Sequence, residues 1–318
     1  MDPSDALARW LDPEMRAFIA RTNGFYPDSA IAGIAESRAL YDRLCAGFRA
    51  ELPTGVRVAD AAVETAAGAV PVRRYHPAQA AGNAALLYLH GGGFVLGGLD
   101  SHHDVCAELS DGTGLEVWSV AYRLSPEHVY PAALEDAEAA FRALSAGGRP
   151  VVVGGDSAGG RIAAALCHRL RRRGQPQPRG QVLIYPGLSS DPLRVAGSRA
   201  ATAPMLTAEE CVHYNHLYAG GAGGVPEGDA EFAPLDAADF SGLAPAAIFA
   251  AGYDPLRQDA EDYAAALHAA GVSVAYRDDP GLVHGWLRAR HISRLAARAF
   301  AAVVAATVAL ADGMVPRS

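Results

Sequence analysis

The sequence predicts an α/β fold: a mostly parallel central sheet flanked by helices, with two segments outside that core. Three observations predict it. Short apolar runs recur and read as buried strands: Ala85–Leu89, Val151–Val153, a run ending at Tyr185, Ala246–Ala251 and Val272–Tyr276. Helix-like stretches alternate with them, which is the pattern of a parallel sheet. Two segments, residues 1–50 and 188–236, break the rhythm and stand outside the alternating core, which divides into residues 51–187 and 237–318.

The elements follow in order. Residues 1–50 hold amphipathic, helix-like pieces with apolar Leu7, Trp10, Leu11, Met15, Phe18 and Ile19. The run Ala85–Leu89 leads into His90-Gly91-Gly92-Gly93. The run Val151–Val153 leads into Gly155-Asp156-Ser157-Ala158-Gly159. A serine between glycines on a tight strand-to-helix turn is exposed for nucleophilic attack, and the turn has no room for extra Cβ atoms. Ile162, Leu166 and Leu170 then recur at four-residue steps beside Ala163 and Cys167, one apolar helix stripe. Arg169, Arg171, Arg172 and Arg173 before Gly174 read as the cationic last turn of that helix rather than a nucleic-acid patch. In the 188–236 segment, Thr207 with Glu210 three residues on predicts a capped helix from Thr207 to Tyr218, and Gly220–Gly224 a flexible link.

The strand Ala246–Ala251 ends near Asp254, and the strand Val272–Tyr276 leads through a turn to His284. Chemistry gathers at the carboxyl ends of such strands. Ser157, Asp254 and His284 therefore form a candidate catalytic triad: nucleophile, orienting acid and base. A free imidazole titrates near 6.5, which suits proton transfer at neutral pH. The competing carboxylates have quieter readings: Asp259 and Glu261 face solvent or cap the following helix, and Asp278 and Asp279 are loop residues. His102-His103 and His213-x-x-His216 lack the convergent ligand spacing of a metal site, so neither metal nor cofactor is expected.

The His-Gly-Gly-Gly run resembles the oxyanion loop of lipases and esterases. Its glycines let backbone N–H groups approach a developing oxyanion, and Gly91, Gly92 and Ala158 are the expected donors. The chain as a whole resembles the bacterial hormone-sensitive-lipase-like (family IV) carboxylesterases of the α/β-hydrolase superfamily. The residues that carry the resemblance are His90-Gly91-Gly92-Gly93-Phe94, Tyr122-Arg123-Leu124-Ser125-Pro126-Glu127-His128, Gly155-Asp156-Ser157-Ala158-Gly159-Gly160, Asp254-Pro255-Leu256-Arg257 and His284-Gly285. Departures are small: Ser125 where alanine is usual, Trp286 where phenylalanine is common, and Gln258 in an acidic run.

The resemblance implies a two-step acyl transfer on a small-molecule ester with short-to-medium acyl chains. It also implies that residues 1–50 and 188–236 form a helical cap over the α/β-hydrolase core (51–187 and 237–318), with Phe25, Tyr26, Phe94, Leu188, Leu206, Tyr214 and Tyr218, and Trp286 beside the base, as candidates for the pocket wall. Packing within the cap is the expected role of at least half of them. Related esterases dimerise through the last strand, so the edge near Val272–Tyr276 is a candidate homodimer surface. Two other readings use the same features: a deacetylase or amidase with the same triad, and a non-catalytic receptor similar to the plant gibberellin receptors, which lack the histidine present here as His284.

Composition fits this picture. Half of the 318 residues are hydrophobic, enough for a large core, and the net charge of −8 argues against nucleic acid or anionic membranes as partners. The stretch Met1–Asp5 opens without the basic and apolar regions of a secretory leader, and no run of about 20 apolar residues marks a membrane span. Cys45, Cys106, Cys167 and Cys211 are scattered without a CxxC pair, as expected of reduced, buried thiols in the cytoplasm.

Overall fold

Strand burial sets the architecture. In the computed structural model, which describes residues 10–26 and 33–314, eight strands form one sheet in the order β1-β2-β4-β3-β5-β6-β7-β8. They are β1 (Arg57–Thr65), β2 (Gly68–His76), β3 (Ala85–Leu89), β4 (Glu116–Val120), β5 (Val151–Asp156), β6 (Gly180–Ile184), β7 (Ala246–Tyr253) and β8 (Val274–Val283). The β1–β2 hairpin pairs antiparallel to β4, and the pairs from β4 through β8 are parallel. The central strands β3, β5 and β6 are buried along their whole length, which explains their unbroken apolar runs.

Side chains of successive strand residues go to opposite faces. Leu87, Leu89 and Val153 join the core under helices α4 (Ala132–Leu144), α5 (Ala158–Arg172) and α7 (Arg257–Ala269). Leu86, Tyr88 and Val152 join the core under α3 (His103–Thr113) and α8 (Arg294–Ala311), which also takes up Met15 and Phe18 of α1 (Pro13–Asn23) and Leu44 of α2 (Ile34–Phe48). Helix α6 (Ala208–Ala219) lies in the 188–236 segment. It starts at the capping box read from the sequence, Thr207 Oγ1 accepting from the Glu210 N–H while the Glu210 carboxylate accepts from Thr207. The arginine-rich end of α5 is likewise a helix terminus: Arg169 and Arg172 pair with Glu231, Arg173 with Glu138 and Arg171 with Asp239.

Several expectations need correction. β8 starts at Val274 and runs on to Val283, so Asp278 and Asp279 are strand residues paired with Arg257 and Arg277. Pro280 does not end the strand because β8 is the sheet edge, where a missing N–H is tolerated. Asp259 is buried, not solvent-facing, and accepts the N–H groups of Leu188 and Ser189 at 2.7 and 2.8 Å. Helix α8 is by length and composition apolar enough to cross a membrane, unlike the sequence reading. Its Ala299, Val303 and Leu310 are buried in the core cluster beneath the sheet. Leu7 and the stretch Met1–Asp5 lie outside the described residues.

Candidate active site

The turn between β5 and α5 places Ser157 in a backbone conformation that side chains rarely adopt, φ 53° and ψ −120°. Such geometry costs about 1–3 kcal/mol and persists where the surroundings enforce it. Here a Cβ on Gly155 or Gly159 would overlap the Leu89 carbonyl oxygen of the neighbouring strand, so the flanking positions must be glycine. The Ser157 N–H donates to Ile184 O of β6 at 2.9 Å, which pins the turn between two strands.

Asp254 follows the last residue of β7, and His284 follows the last residue of β8. The parallel sheet brings these ends beside Ser157. His284 Nε2 lies 2.9 Å from Ser157 Oγ, and Nδ1 lies 2.7 Å from Asp254 Oδ2. Asp254 is fully buried, and its other oxygen accepts the Leu256 N–H at 2.9 Å. The Tyr185 ring packs edge-on against the imidazole with centroids 4.8 Å apart. The carboxylate thus fixes the ring, and the ring addresses the serine hydroxyl.

The glycine loop after β3 is held by Asp156, the residue before the serine. This buried carboxylate accepts from Tyr88 Oη at 2.8 Å, the Gly91 N–H at 3.0 Å, and His102 Nε2 and Tyr185 Oη at 3.3 Å each. Burial opposes its ionisation, but His102, Tyr88 and the charge of Arg288 outweigh burial and hold it well below the usual carboxylate range. One expected oxyanion donor is therefore corrected: the Gly91 N–H is spent on Asp156. Gly92 and Gly93 line the cavity beside Ser157 and Ala158, and their N–H groups donate to no other residue among those described. The Ala158 N–H is the first of α5, where helix geometry leaves donors unspent. His90 stacks on Tyr122 with centroids 4.3 Å apart, and burial lowers its pKa to about 4, so it is a neutral prop for the loop.

Above Ser157 lies a cavity of about 150 Å³. Of the eight residues expected in its wall, it takes in Tyr26, Phe94, Leu206 and Tyr214. The other four are corrected. Phe25 packs on Phe48, and Leu188 is fully buried in the core. Tyr218 is stacked between Phe94 and Phe232, and Trp286 is sealed behind Tyr185. Unforeseen wall residues include Tyr41 and Leu44 of α2, Met205, and the arginines Arg161 and Arg288. Arg161 carried a usable signal: a lone charge four residues past the serine, in an otherwise apolar first turn. Its guanidinium, buried against its own charge, donates to Gly187 O, to Asn215 Oδ1 at 2.9 Å and to Ser189 O at 3.0 Å.

His102 is occupied by Asp156, and no group of three or more potential metal ligands converges among the described residues. The four cysteines are free and buried.

Residues 86–288 match the family model described as the alpha/beta hydrolase fold. The chain is 41% identical over 242 residues to esterase LipI of Mycobacterium tuberculosis, covering 73% of this chain and 75% of that protein. It is 38% identical over 232 residues to an ethyl acetate hydrolase of Pseudomonas putida, covering 69% and 72%. The crystal structure of an esterase from the bacterial hormone-sensitive lipase family superposes with a TM-score of 0.85 at 26% identity, covering 94% of this chain and 99% of that one.

Proposed function

The chain belongs to the α/β-hydrolase fold family and, within it, to the bacterial hormone-sensitive-lipase-like carboxylic ester hydrolases, and from that premise we propose a serine mechanism on short-to-medium acyl esters. The observation that carries it is the unbroken line of hydrogen bonds from Ser157 Oγ through His284 to Asp254.

Ser157 Oγ attacks the ester carbonyl while its proton passes to His284 Nε2. Asp254 holds Nδ1 and stabilises the imidazolium. The carbonyl oxygen takes the negative charge and is received by the N–H groups of Gly92, Gly93 and Ala158. Each such donor is worth on the order of 100–1000-fold in rate. The tetrahedral adduct collapses to the acyl-enzyme, and the departing alkoxide takes the proton from His284. Water then attacks the acyl-enzyme, giving its proton to His284. The carboxylic acid leaves, and Ser157 regains its hydrogen.

Acyl length follows from space. A cavity of about 150 Å³ in another protein takes up benzene, a six-carbon guest. The relative named as an ethyl acetate hydrolase points the same way. The cavity wall draws Thr22 and Tyr26 from residues 1–50, and Met205, Leu206, Cys211, Tyr214 and Asn215 from residues 188–236, so we assign these two segments as a cap over the site. Four free, buried cysteines fit a reducing, cytoplasmic setting. The unpaired edge of β8 remains our candidate for a homodimer contact, which a sedimentation mass near the 33.0 kDa monomer would reject.

The test is hydrolysis of p-nitrophenyl esters from C2 to C16 by the wild type and Ser157→Ala. The expected result is best turnover at C2–C6, abolished in the variant. Equal activity of the two proteins, or faster turnover of C12–C16 esters, would overturn the reading.

A further inference from the structure

Neither arginine of the active-site cavity forms an ion pair among the described residues, but Arg161 has an acceptor for each of its three nitrogens while Arg288 does not. Arg288 sits in the short helical turn Trp286–Ala289, four residues past His284, and lines the cavity together with Ser157 and Gly93. Its Nη2 donates to Tyr41 Oη at 2.7 Å and to Cys45 Sγ at 3.1 Å, and the guanidinium lies over the Tyr41 ring, 4.9 Å from its centroid. Both partners are neutral, since burial pushes the Cys45 thiol and the Tyr41 phenol up from their ordinary values. Nε is sealed away without a partner. Nη1 is not sealed, and it donates to no residue among those described.

Asp156 feels the charge of Arg288 through space, but the surrounding carboxylates make their hydrogen bonds elsewhere. Asp156 serves four donors, Asp254 serves His284 and Leu256, and Glu210 is held by Thr207 at the start of α6. The contrast with nearby arginines is direct. Arg290, two residues on, pairs with Asp104 and Glu108, and the cavity's other arginine, Arg161, spends its donors on Gly187, Ser189 and Asn215. A guanidinium stays charged at every accessible pH, and shielding one without a partner is costly. With Nε buried and unmet and Nη1 open to the cavity, this guanidinium is short of acceptors and Nη1 is the nitrogen that can gain one. In a cavity that also holds the nucleophile, that acceptor is a group on the substrate.

We propose that Arg288 Nη1 forms an anionic subsite, and that the preferred substrate is an ester bearing a free carboxylate a few bonds from its scissile carbonyl. The subsite rests on the serine-esterase reading of the same cavity. The cavity's size limits the spacer between ester and carboxylate to a few carbons, and Leu44, Leu96 and Met205 in the same wall offer it an apolar path. The carboxylate belongs to either the acyl or the alcohol half, and the two halves are separate arms of the test.

The experiment compares kcat/KM for monoethyl glutarate with its carboxamide analogue (acyl arm), and for 4-acetoxybutanoate with 4-acetoxybutanamide (alcohol arm), by pH-stat. Each pair matches in size and differs in charge. The wild type is expected to favour the carboxylate at least tenfold in one arm. In Arg288→Gln that ratio falls to about one, and in Arg288→Lys it recovers in part. A wild-type ratio of one or less in both arms overturns the subsite, whatever the variants do. So does an Arg288→Gln variant that loses activity on both members of a pair equally, because a packing role predicts an unchanged ratio. The ester-hydrolase reading fails separately, and the subsite with it, if the wild type hydrolyses none of these esters nor ethyl acetate.

Discussion

Replacing Asp156 with asparagine tests whether one buried carboxylate organises the oxyanion loop. In the wild type its two oxygens accept four hydrogen bonds, and one of them comes from the N–H of Gly91, the residue just before the proposed donors Gly92 and Gly93. An asparagine has one oxygen and one amide group in the same volume. With the oxygen toward Tyr88 and Gly91, its NH₂ meets His102 and Tyr185, and two charge-assisted bonds are lost. Bonds to a charged group are worth about 1.5–3 kcal/mol each, so a loss of about 3 kcal/mol in stability is expected. That corresponds to a fall in melting temperature of roughly 4–5 °C for a domain of this size. The remaining bond to Gly91 becomes a neutral one, and the loop loosens. A misplaced oxyanion donor acts on the transition state, so kcat for p-nitrophenyl butyrate should fall 10- to 100-fold, about 1.4–2.8 kcal/mol, with KM within threefold. Thermal melts and steady-state kinetics on the same preparation check both parts. A variant with wild-type kcat would refute the claim that Asp156 positions the loop, even if its melting temperature fell.

Two further outcomes follow. Ser157→Gly should abolish esterase activity and raise the melting temperature, because glycine adopts φ 53° without the strain of about 1–3 kcal/mol that serine bears there; a drop in melting temperature would count against stored strain in the turn. Acid should destabilise the fold before its carboxylates titrate: burial holds His90 and His168 at about 4. The unfolded chain takes up their protons near 6.5 and the native chain does not, so stability falls as pH drops from about 6.5 to 4. Each contributes up to about 3 kcal/mol. Urea midpoints that stay level between pH 7 and pH 4.5 would contradict this.

Those parts of the site that depend on backbone geometry were legible in the sequence. Gly155 and Gly159 are forced by the Leu89 carbonyl, and Thr207 with Glu210 announces the start of α6 in its residue types alone. The parts that depend on partners distant in sequence were not. Three adjacent glycines look alike, and the one whose N–H is spent is chosen by Asp156, 65 residues away. Asp259 reads as a solvent-facing helix acid, yet the backbone leaving β6 arrives over it and buries it. Tyr214 and Tyr218 lie one helical turn apart on α6. The first lines the cavity while the second is stacked into the core, and their chemical type does not separate them. The continuation of β8 through Pro280 and Gly281 was hidden because both residues signal turns; the edge position, and a register shift between Ala251 and Tyr253 of β7, accommodate them.

This division has a mechanical consequence. Ser157, His284, Asp254 and the glycine loop are fixed to the ends of β3, β5, β7 and β8 by short bonds within the sheet. The pocket wall is fixed by long side chains that tie residues 1–50 and 188–236 to the rest of the fold. Arg161 of α5 holds Gly187, Ser189 and Asn215. Arg38 of α2 reaches Val95 O at 2.9 Å and Ser125 O at 3.0 Å, and pairs with Glu127. The segment from Tyr122 to His128 is thus an anchorage of α2 as well as a neighbour of the glycine loop. Substitutions in α2 or α6 can therefore reshape the wall and leave the bonds among Ser157, His284 and Asp254 intact. The bonds among Ser157, His284 and Asp254 and those that shape the pocket wall are different sets of contacts, and Arg288 lies where they meet: its chain position is set by the turn after His284, while its guanidinium is held by Tyr41 and Cys45 of α2.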